Sequence, residues 1–157
     1  QKGYPMIIKR QIFDAQTCKD LIDLNAHNYE PGRVGNRIDP FVRSNSVCWI
    51  EYDVHRLAEY FPMHDWIANP CQLSRYQPGE AYNWHHDVIK GRSSRRLYTL
   101  TVTLQCAENA HLQIDDAVIE LGVGEGVIFD SDRQHRALAP TSGIRYAFTT
   151  WAMTRNR

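Results

Sequence analysis

The stretch that ends in His85-His86-Asp87 contains the residue types of a metal site. In an extended strand, residues i and i+2 point to the same face, so we expect His85 and Asp87 to aim at one point while His86 faces away. One imidazole and one carboxylate are two of the three ligands in the 2-His-1-carboxylate triad that binds non-haem Fe(II). A His-x-Asp match also arises by chance in a chain with seven histidines, so a third ligand is required.

A histidine and an arginine further along the chain supply what such a site needs. His135 comes just after a predicted strand, and Arg145 lies at the start of the next one. In an antiparallel pair this arginine can lie deep beside the histidine, where a guanidinium is costly to bury unless it meets a carboxylate. A bidentate carboxylate ligand is its natural partner, and an ion pair with Asp130 or Asp132 is the alternative.

Composition indicates one ordinary globular domain. The 157 residues are 43% hydrophobic and carry a formal net charge of zero, so bulk charge gives no attraction to nucleic acid or membranes. No apolar run approaches the roughly 20 residues that span a bilayer. We find no signal peptide and interpret the start at Gln1 as trimmed or processed. The four cysteines are widely spaced, which favours reduced thiols in a cytoplasmic protein over a zinc site.

Residues 1–69 are predicted to form a helical and loop support for the rest of the chain. Asp14 has the position of an N-cap before an amphipathic helix over about 15–27. A polar segment over 28–45, rich in Gly, Pro and Arg, is predicted to be a long loop. The other predicted elements are a strand over Lys2–Ile12, a strand over Val47–Tyr52, and a short helix that Asp53 caps and Pro62 ends.

Residues 70–153 are predicted to be a series of short strands. The clearest is Leu97–Gln105, which is β-branched and alternating, and Asp115-Asp116 lies between two apolar segments as in a hairpin. The remaining predicted strands are Cys71–Gln77, Tyr82–Val88, His111–Ile114, Ala117–Leu121, Val127–Phe129, Arg136–Leu138 and Ile144–Ala152. This pattern favours a mainly β fold, a sandwich or jelly roll, with an N-terminal helix covering one sheet.

Three motifs in this region resemble those of the Fe(II)/2-oxoglutarate-dependent oxygenases. They are Tyr-x-Pro-Gly…Tyr-x-x-His-x-Asp, Phe-x-Ser-Asp-Arg…His and Arg-Tyr-Ala-x-Thr-x-Trp. Within that family the chain is most similar to the prolyl hydroxylase branch, which includes the hypoxia-sensing prolyl hydroxylases. The resemblance implies a single domain whose jelly-roll core, a double-stranded β-helix, has one or two supporting N-terminal α-helices. Where the family commonly has Gly-Gly-x-Leu, this chain has Asn109-Ala110-His111-Leu112.

The resemblance also implies roles for individual residues. The catalytic iron ligands would be His85, Asp87 and His135, and the 2-oxoglutarate site would comprise Arg145, Tyr76, Thr103, Thr149 and Leu112. Tyr82, Arg96 and Trp151 match positions near the metal and the substrate mouth. Trp49 and the loops over 32–43 and 91–96 could form one wall that recognises substrate.

The implied activity is hydroxylation with release of succinate and CO2, using Fe(II), 2-oxoglutarate and O2, with ascorbate as a candidate stimulant. We expect a prolyl residue in a peptide or protein as the substrate. Arg92, Arg95 and Arg96 close to the iron would suit an acidic peptide. Nucleic acid is the second choice, because basic loops with tryptophans could also hold phosphates and stack a base, and a small molecule is third. An alternative of another class is a jelly-roll sensor that holds metal without oxidising anything. Halogenation is disfavoured because Asp87 occupies the position that chloride requires.

Overall fold

The computed structural model describes residues 7–62, 66–68, 70–88 and 95–154, with only the backbone described for 66–68. Over these residues the chain forms one α-helix, one 3₁₀ helix and twelve strands. The α-helix α1 spans Ala15–Leu24, and the 3₁₀ helix spans Val54–Tyr60. The strands in chain order are β1 (Ile7–Gln11), β2 (Glu30–Pro31), β3 (Ser46–Ile50), β4 (Trp66–Ala68), β5 (Cys71–Tyr76), β6 (Tyr82–His85), β7 (Arg96–Gln105), β8 (Leu112–Ile114), β9 (Ala117–Ile119), β10 (Glu125–Asp130), β11 (His135–Ala137) and β12 (Arg145–Thr154).

The strands form two antiparallel sheets. The major sheet has the order β1-β10-β7-β12-β5-β3-β2, with β4 paired to β12 as its eighth strand. The minor sheet has the order β6-β11-β8-β9. Two facing antiparallel sheets confirm the predicted mainly β, jelly-roll fold.

Helix α1 begins where its sequence predicts. The side chain of Asp14 accepts a hydrogen bond of 2.8 Å from the backbone N–H of Thr17, which satisfies one free donor of the first turn. Its apolar stripe includes the buried Cys18, and the helix packs against β7. The helix ends at Leu24, earlier than predicted, because Asn25 leaves helical geometry and its side-chain amide donates to the Leu21 carbonyl at 2.9 Å.

The apolar core lies on both faces of the major sheet. One cluster fills the space under α1 and the 3₁₀ helix and includes Leu57, Leu100 and Phe148. A second, smaller cluster holds Phe129 on β10 against Leu112 on β8. All four cysteines are free, as predicted.

The register of the major sheet puts alternate side chains of its central strands on one face, toward the minor sheet. Because directly opposed residues share a face, these side chains form rows across the sheet. The rows are Thr99 with Trp151, Thr101 with Thr149 and Gln72, Thr103 with Ala147 and Ser74, and Arg145 with Tyr76. The rows run from one end of a cavity to the other.

Several predicted boundaries differ from the structure. The strand predicted over Tyr82–Val88 ends at His85, so Asp87 follows the strand instead of lying within it. The strand predicted from Arg136 begins one residue earlier, at His135. The short helix after Asp53 is a 3₁₀ helix, and β4 was not predicted. Residues 2–6 of the first predicted strand and 91–94 of the predicted loop over 91–96 lie outside the described residues. In the part of the chain that is described, no helix has the length and apolar character needed to cross a membrane.

Candidate metal and co-substrate site

A cavity of about 500 Å³, counting its open mouth, lies between the two sheets. Its wall includes His85, Asp87 and His135 at one end and Arg145 and Tyr76 at the other. Leu112, Thr149, Tyr82 and Trp151 also line it. Residues that are far apart in the sequence therefore line one cavity, and these are the residues for which the three motifs imply a common site.

His85, Asp87 and His135 form a compact cluster of potential metal ligands. One ligand atom of each lies within 4.8 Å of the others, and among the described residues no second cluster of this kind is found. The carboxylate atom Oδ1 of Asp87 lies 3.6 Å from Nε2 of His85 and 3.3 Å from Nε2 of His135. The antiparallel pairing of β6 with β11 places the two histidines directly opposite each other. Two imidazoles and one carboxylate at this spacing could hold one metal ion.

Backbone carbonyls orient both histidines. The Nδ1 atom of His85 lies 2.7 Å from the carbonyl of Asn83, and that of His135 lies 2.9 Å from the carbonyl of Arg133. Since only an N–H can donate to a carbonyl, Nδ1 carries a proton in each ring, and Nε2 is the atom left to act as a metal ligand. Both Nε2 atoms face Asp87, which is the orientation that a metal ligand needs.

The carboxylate of Asp87 is held by groups on the major sheet. Its Oδ2 atom accepts hydrogen bonds from the Thr99 hydroxyl at 2.7 Å and from the Trp151 indole N–H at 3.0 Å. The backbone N–H of Asp87 donates to the Ser131 carbonyl at 2.8 Å, which fixes the turn after β6. Because Oδ2 is occupied, Oδ1 is left to face the two histidines, and this suits a carboxylate that binds metal through one oxygen.

The three groups also set one another's charge. Burial alone would raise the pKa of Asp87. The charge of the nearby His135 and its hydrogen bond to the carboxylate lower this pKa by more than burial raises it, so the carboxyl ionises below its usual range. Burial would lower the pKa of His135. The Asp87 carboxylate has the opposite and larger effect, so the pKa of His135 is raised. Burial, reinforced by the charge of His135, lowers the pKa of His85 to about 3. His135 is thus the member that holds a proton, and a cation at this position would take that proton's place.

At the other end of the cavity, Arg145 is only 3% exposed. Its Nη2 atom makes a long contact of 3.4 Å with the Thr103 hydroxyl, and its guanidinium lies 5.4 Å from the centre of the Tyr76 ring. No carboxylate of the described residues lies within ion-pair distance, so the alternative pairing with Asp130 or Asp132 is not formed. Burial lowers the pKa of Arg145. A buried guanidinium without a carboxylate fits a site for an anionic ligand.

The remaining predicted co-substrate residues lie on the cavity wall or beside it. Thr149 shares a hydrogen bond of 3.0 Å with Thr101, and both lie on the cavity wall. Leu112 is buried and supplies an apolar surface opposite. Thr103 is buried and reaches the cavity only through Arg145.

The four residues predicted near the substrate mouth occupy different places. Tyr82 stacks on the His85 ring with 3.5 Å between centres and 6° between planes. Trp151 is buried and donates to Asp87, and Arg96 lies 3.8 Å above the Trp151 ring while donating to the Asp87 carbonyl at 3.3 Å. Trp49 is 51% exposed, with its ring 6.1 Å from that of Trp151. Three of the four therefore pack around the predicted ligands, and Trp49 alone among them presents a broad face to solvent.

Two supporting residues of the site, Thr99 and Ser131, were not predicted from the sequence, and Arg43 was predicted only as part of a loop. Thr99 and Ser131 support Asp87, and Arg43 lines the cavity. Thr99 shares the alternation of Thr101 and Thr103 on β7, and this pattern could have revealed it. Ser131 belongs to the quoted Phe-x-Ser-Asp-Arg motif, whereas Arg43 ends the loop over 32–43 that was expected to form part of the substrate wall. His86 is exposed, as expected of the residue between two inward-facing ligands.

Comparison with known proteins gives a family. The model of the 2OG-Fe(II) oxygenase superfamily matches residues 71–153, just over half of the chain. None of the curated proteins matches the sequence.

Solved structures share the fold at low sequence identity. A prolyl-4-hydroxylase from Pseudomonas putida is 19% identical with a TM-score of 0.71, and the match covers 94% of this chain and 92% of that one. A collagen prolyl hydroxylase of Paramecium bursaria Chlorella virus 1, in complex with 2-oxoglutarate, is 16% identical with a TM-score of 0.72 over 94% and 96%. A prolyl hydroxylase from Trichoplax adhaerens, in complex with a hypoxia-inducible-factor peptide, is 18% identical with a TM-score of 0.71 over 95% and 83%. The chain belongs to the 2OG-Fe(II) oxygenase superfamily and is a 2-oxoglutarate-dependent dioxygenase.

Proposed function

We propose that this dioxygenase hydroxylates a prolyl residue in a peptide or protein. In this proposal His85, Asp87 and His135 hold Fe(II), and Arg145 binds the far carboxylate of 2-oxoglutarate. When bound, the metal and co-substrate supply the oxidising chemistry, with O2 consumed and succinate and CO2 released.

The observation that carries the metal assignment is the asymmetry of Asp87. One carboxylate oxygen accepts from Thr99 and Trp151, and the other faces the Nε2 atoms of both histidines. This arrangement orients three donors toward one point and leaves the rest of the coordination sphere to non-protein ligands. The donor set fits Fe(II), because nitrogen and oxygen ligands suit that ion and no cysteine lines the cavity.

Arg145 supports the co-substrate assignment. Its buried guanidinium has a hydroxyl neighbour in Thr103 and an aromatic neighbour in Tyr76, but no protein carboxylate within ion-pair distance among the described residues. A dicarboxylate between Arg145 and the metal would supply that counter-charge. Thr149 would offer a hydroxyl and Leu112 an apolar surface to its chain. These groups bind and orient the co-substrate and exclude water from it.

The prolyl substrate is supported by the mouth of the cavity and by the comparisons. Each of the three structures described above is a prolyl hydroxylase, and one holds a peptide. The exposed face of Trp49 is an apolar surface against which a prolyl ring can pack. Arg95 and Arg96 are occupied by the Thr154 carbonyl, the Asp87 carbonyl and the Trp151 ring, which disfavours a free phosphate-binding patch. A peptide therefore fits better than nucleic acid.

Anaerobic absorption spectroscopy tests the metal and co-substrate first. Addition of Fe(II) and 2-oxoglutarate to the wild type is expected to give a weak visible charge-transfer band. Folded protein that binds metal but gives no such band would contradict the assignment.

Mass spectrometry of prolyl peptides, incubated with the loaded enzyme, O2 and ascorbate, tests the substrate. We expect products that gain one oxygen atom together with stoichiometric succinate. A panel of single-stranded and double-stranded nucleic acids is the comparison, and oxidation confined to that panel would overturn the prolyl proposal. A protein that binds both ligands and never releases succinate with any substrate would favour the sensor alternative.

A further inference from the structure

Arg43 is a second buried guanidinium on the wall of the same cavity. It is 8% exposed, and its three nitrogens donate to Asn45 Oδ1 at 2.8 Å, the Arg33 carbonyl at 3.1 Å and Gln72 Oε1 at 3.0 Å. All three acceptors are neutral. Among the described residues no carboxylate lies within ion-pair distance of Arg43. Burial of an arginine in this way is costly unless a counter-charge arrives.

The surroundings of Arg43 hold it in one place beside the predicted metal ligands. Its guanidinium carbon lies 4.3 Å from the centre of the Tyr82 ring, which in turn stacks on His85. The loop at Gly32 closes on it so tightly that a Cβ atom there would lie 2.6 Å from the Arg43 Nε atom. The positive charge is therefore fixed one aromatic ring away from the reacting centre.

The charges of the described cavity residues do not balance when only the metal and co-substrate are present. Among the described residues of the wall, the ionised side chains are Arg43, Asp87 and Arg145, because burial raises the pKa of Tyr82 and that residue is neutral. A metal dication and a 2-oxoglutarate dianion cancel each other, and Asp87 cancels one arginine. One positive charge remains for the substrate to neutralise.

We propose that Arg43 binds a carboxylate of the substrate and so selects substrates that carry one close to the oxidised carbon. This inference rests on the proposed function. An arginine has five N–H donors, and the three bonds above leave two for a bidentate contact. The carboxylate has two sources in a prolyl substrate: the α-carboxylate of a free or C-terminal proline, and the side chain of an acidic neighbour.

Matched substrates test the inference on the wild type, where folding is not disturbed. One pair is a peptide ending in a prolyl carboxylate and the same peptide as its C-terminal amide. The other pair has an internal proline flanked by Glu or by Gln. We expect kcat/KM for succinate release to be at least tenfold higher for the carboxylate member of one pair, and that pair identifies the source.

The outcomes separate this inference from the function on which it rests. Enzyme that shows the charge-transfer band and yet has no preference for the carboxylate in either pair overturns the role of Arg43 and leaves the dioxygenase assignment intact. Absence of the band removes the proposed site itself.

The variant Arg43→Gln and a matched control test whether Arg43 causes the preference for the carboxylate substrate. In Arg43→Gln the ratio of kcat/KM between carboxylate and amide is expected to fall to about one. A purely structural loss would lower both members equally and keep the ratio. Arg75→Gln is the matched control, since Arg75 also lies over a tyrosine ring (Tyr29, 5.0 Å) and donates to a neutral hydroxyl, but points away from the cavity. A preserved ratio in Arg43→Gln contradicts the proposal, and if that variant does not fold, the wild-type pairs decide.

Discussion

The major and minor sheets differ in the length and burial of their strands, and they carry different parts of the site. β7 and β12 each have ten residues and are mostly buried. β8, β9 and β11 have three residues each, and two of the three in β9 are exposed. The predicted ligands His85 and His135 lie on the minor sheet, whereas Thr99, Trp151 and Arg145 lie on the major one.

Asp87 joins the two sheets. It follows β6 of the minor sheet, yet its carboxylate is held by Thr99 and Trp151 of the major sheet. A metal bound by Asp87 and both histidines would tie the short strands to the long ones. We therefore expect the major sheet to position the site by its own packing, and a bound metal to stabilise mainly the minor sheet.

The largest expected effect is the loss of the site in His135→Ala. Removal of one of three protein ligands should abolish metal binding, the charge-transfer band with 2-oxoglutarate, and succinate release, all of which absorption and turnover assays measure. His86→Ala is the matched control because this exposed histidine is next to a ligand but faces away. Equal loss in both variants would mean that the cluster is not the metal site.

A smaller loss of metal binding is expected for Thr99→Val, a change on β7 of the major sheet. The change is nearly isosteric and leaves Oδ2 of the buried Asp87 with the Trp151 donor alone. Metal affinity, measured by titration, should weaken by about 10-fold to 100-fold while the fold is retained. Thr101→Val removes a hydroxyl from the same face of the same strand, where it bonds Thr149, and should leave metal affinity near the wild-type value. Similar losses in both would show that β7 does not act through Asp87.

Much of the fold and of the candidate ligand set could be predicted because the signals are local. The alternation in β7 and the N-cap at Asp14 are properties of a few consecutive residues. His85 and Asp87 were expected to converge within one strand, and they do converge, although the strand ends at His85 and a turn held by Ser131 brings Asp87 back. The residue spacing was sufficient even though the assumed backbone was wrong.

The supporting groups could not be predicted because they depend on register between distant strands. Thr99 meets Trp151 only through the pairing of β7 with β12. Trp151 was predicted to lie near the metal and the substrate mouth, but its hydrogen bond to Asp87 depends on that pairing. Arg43 reaches the cavity from a loop whose path the sequence does not specify. The spacing of neighbouring residues in the sequence is enough to identify candidate ligands. The residues that hold those ligands in place are identified only once the pairing register of distant strands is known.

Addition of metal is expected to stabilise the two sheets unequally. At a free-metal concentration 100 times the Kd, binding adds about 2.7 kcal/mol to the free energy of unfolding. Hydrogen exchange should show the added protection mainly at amides of β6 and β11, because β7 and β12 are already buried without the metal. A chelator should reverse the change. Equal added protection in both sheets would contradict the expectation that metal stabilises mainly the minor sheet.

The smallest expected effect concerns the protons that His85 and His135 release when metal binds. We expect the two histidines to differ in this release. The pKa of His85 is lowered to about 3 by burial, so its Nε2 lone pair is free at any pH above that value. The pKa of His135 is raised above its ordinary value of about 6.5, because the Asp87 carboxylate outweighs burial. Metal must therefore displace a proton from His135 but none from His85 at slightly acid pH.

Calorimetry of metal binding in buffers of different ionisation enthalpy measures this proton release. Near pH 6 we expect close to one proton per metal ion, with apparent affinity falling about tenfold for each further unit of acidification. The sign follows from competition: below its pKa His135 is protonated and excludes the metal, and above that pKa the affinity levels off. A release of two protons, with a hundredfold fall per unit, would mean that both histidines titrate together and that burial does not distinguish them. His86→Ala should leave the slope unchanged, because that exposed ring lies outside the cluster of ligand atoms.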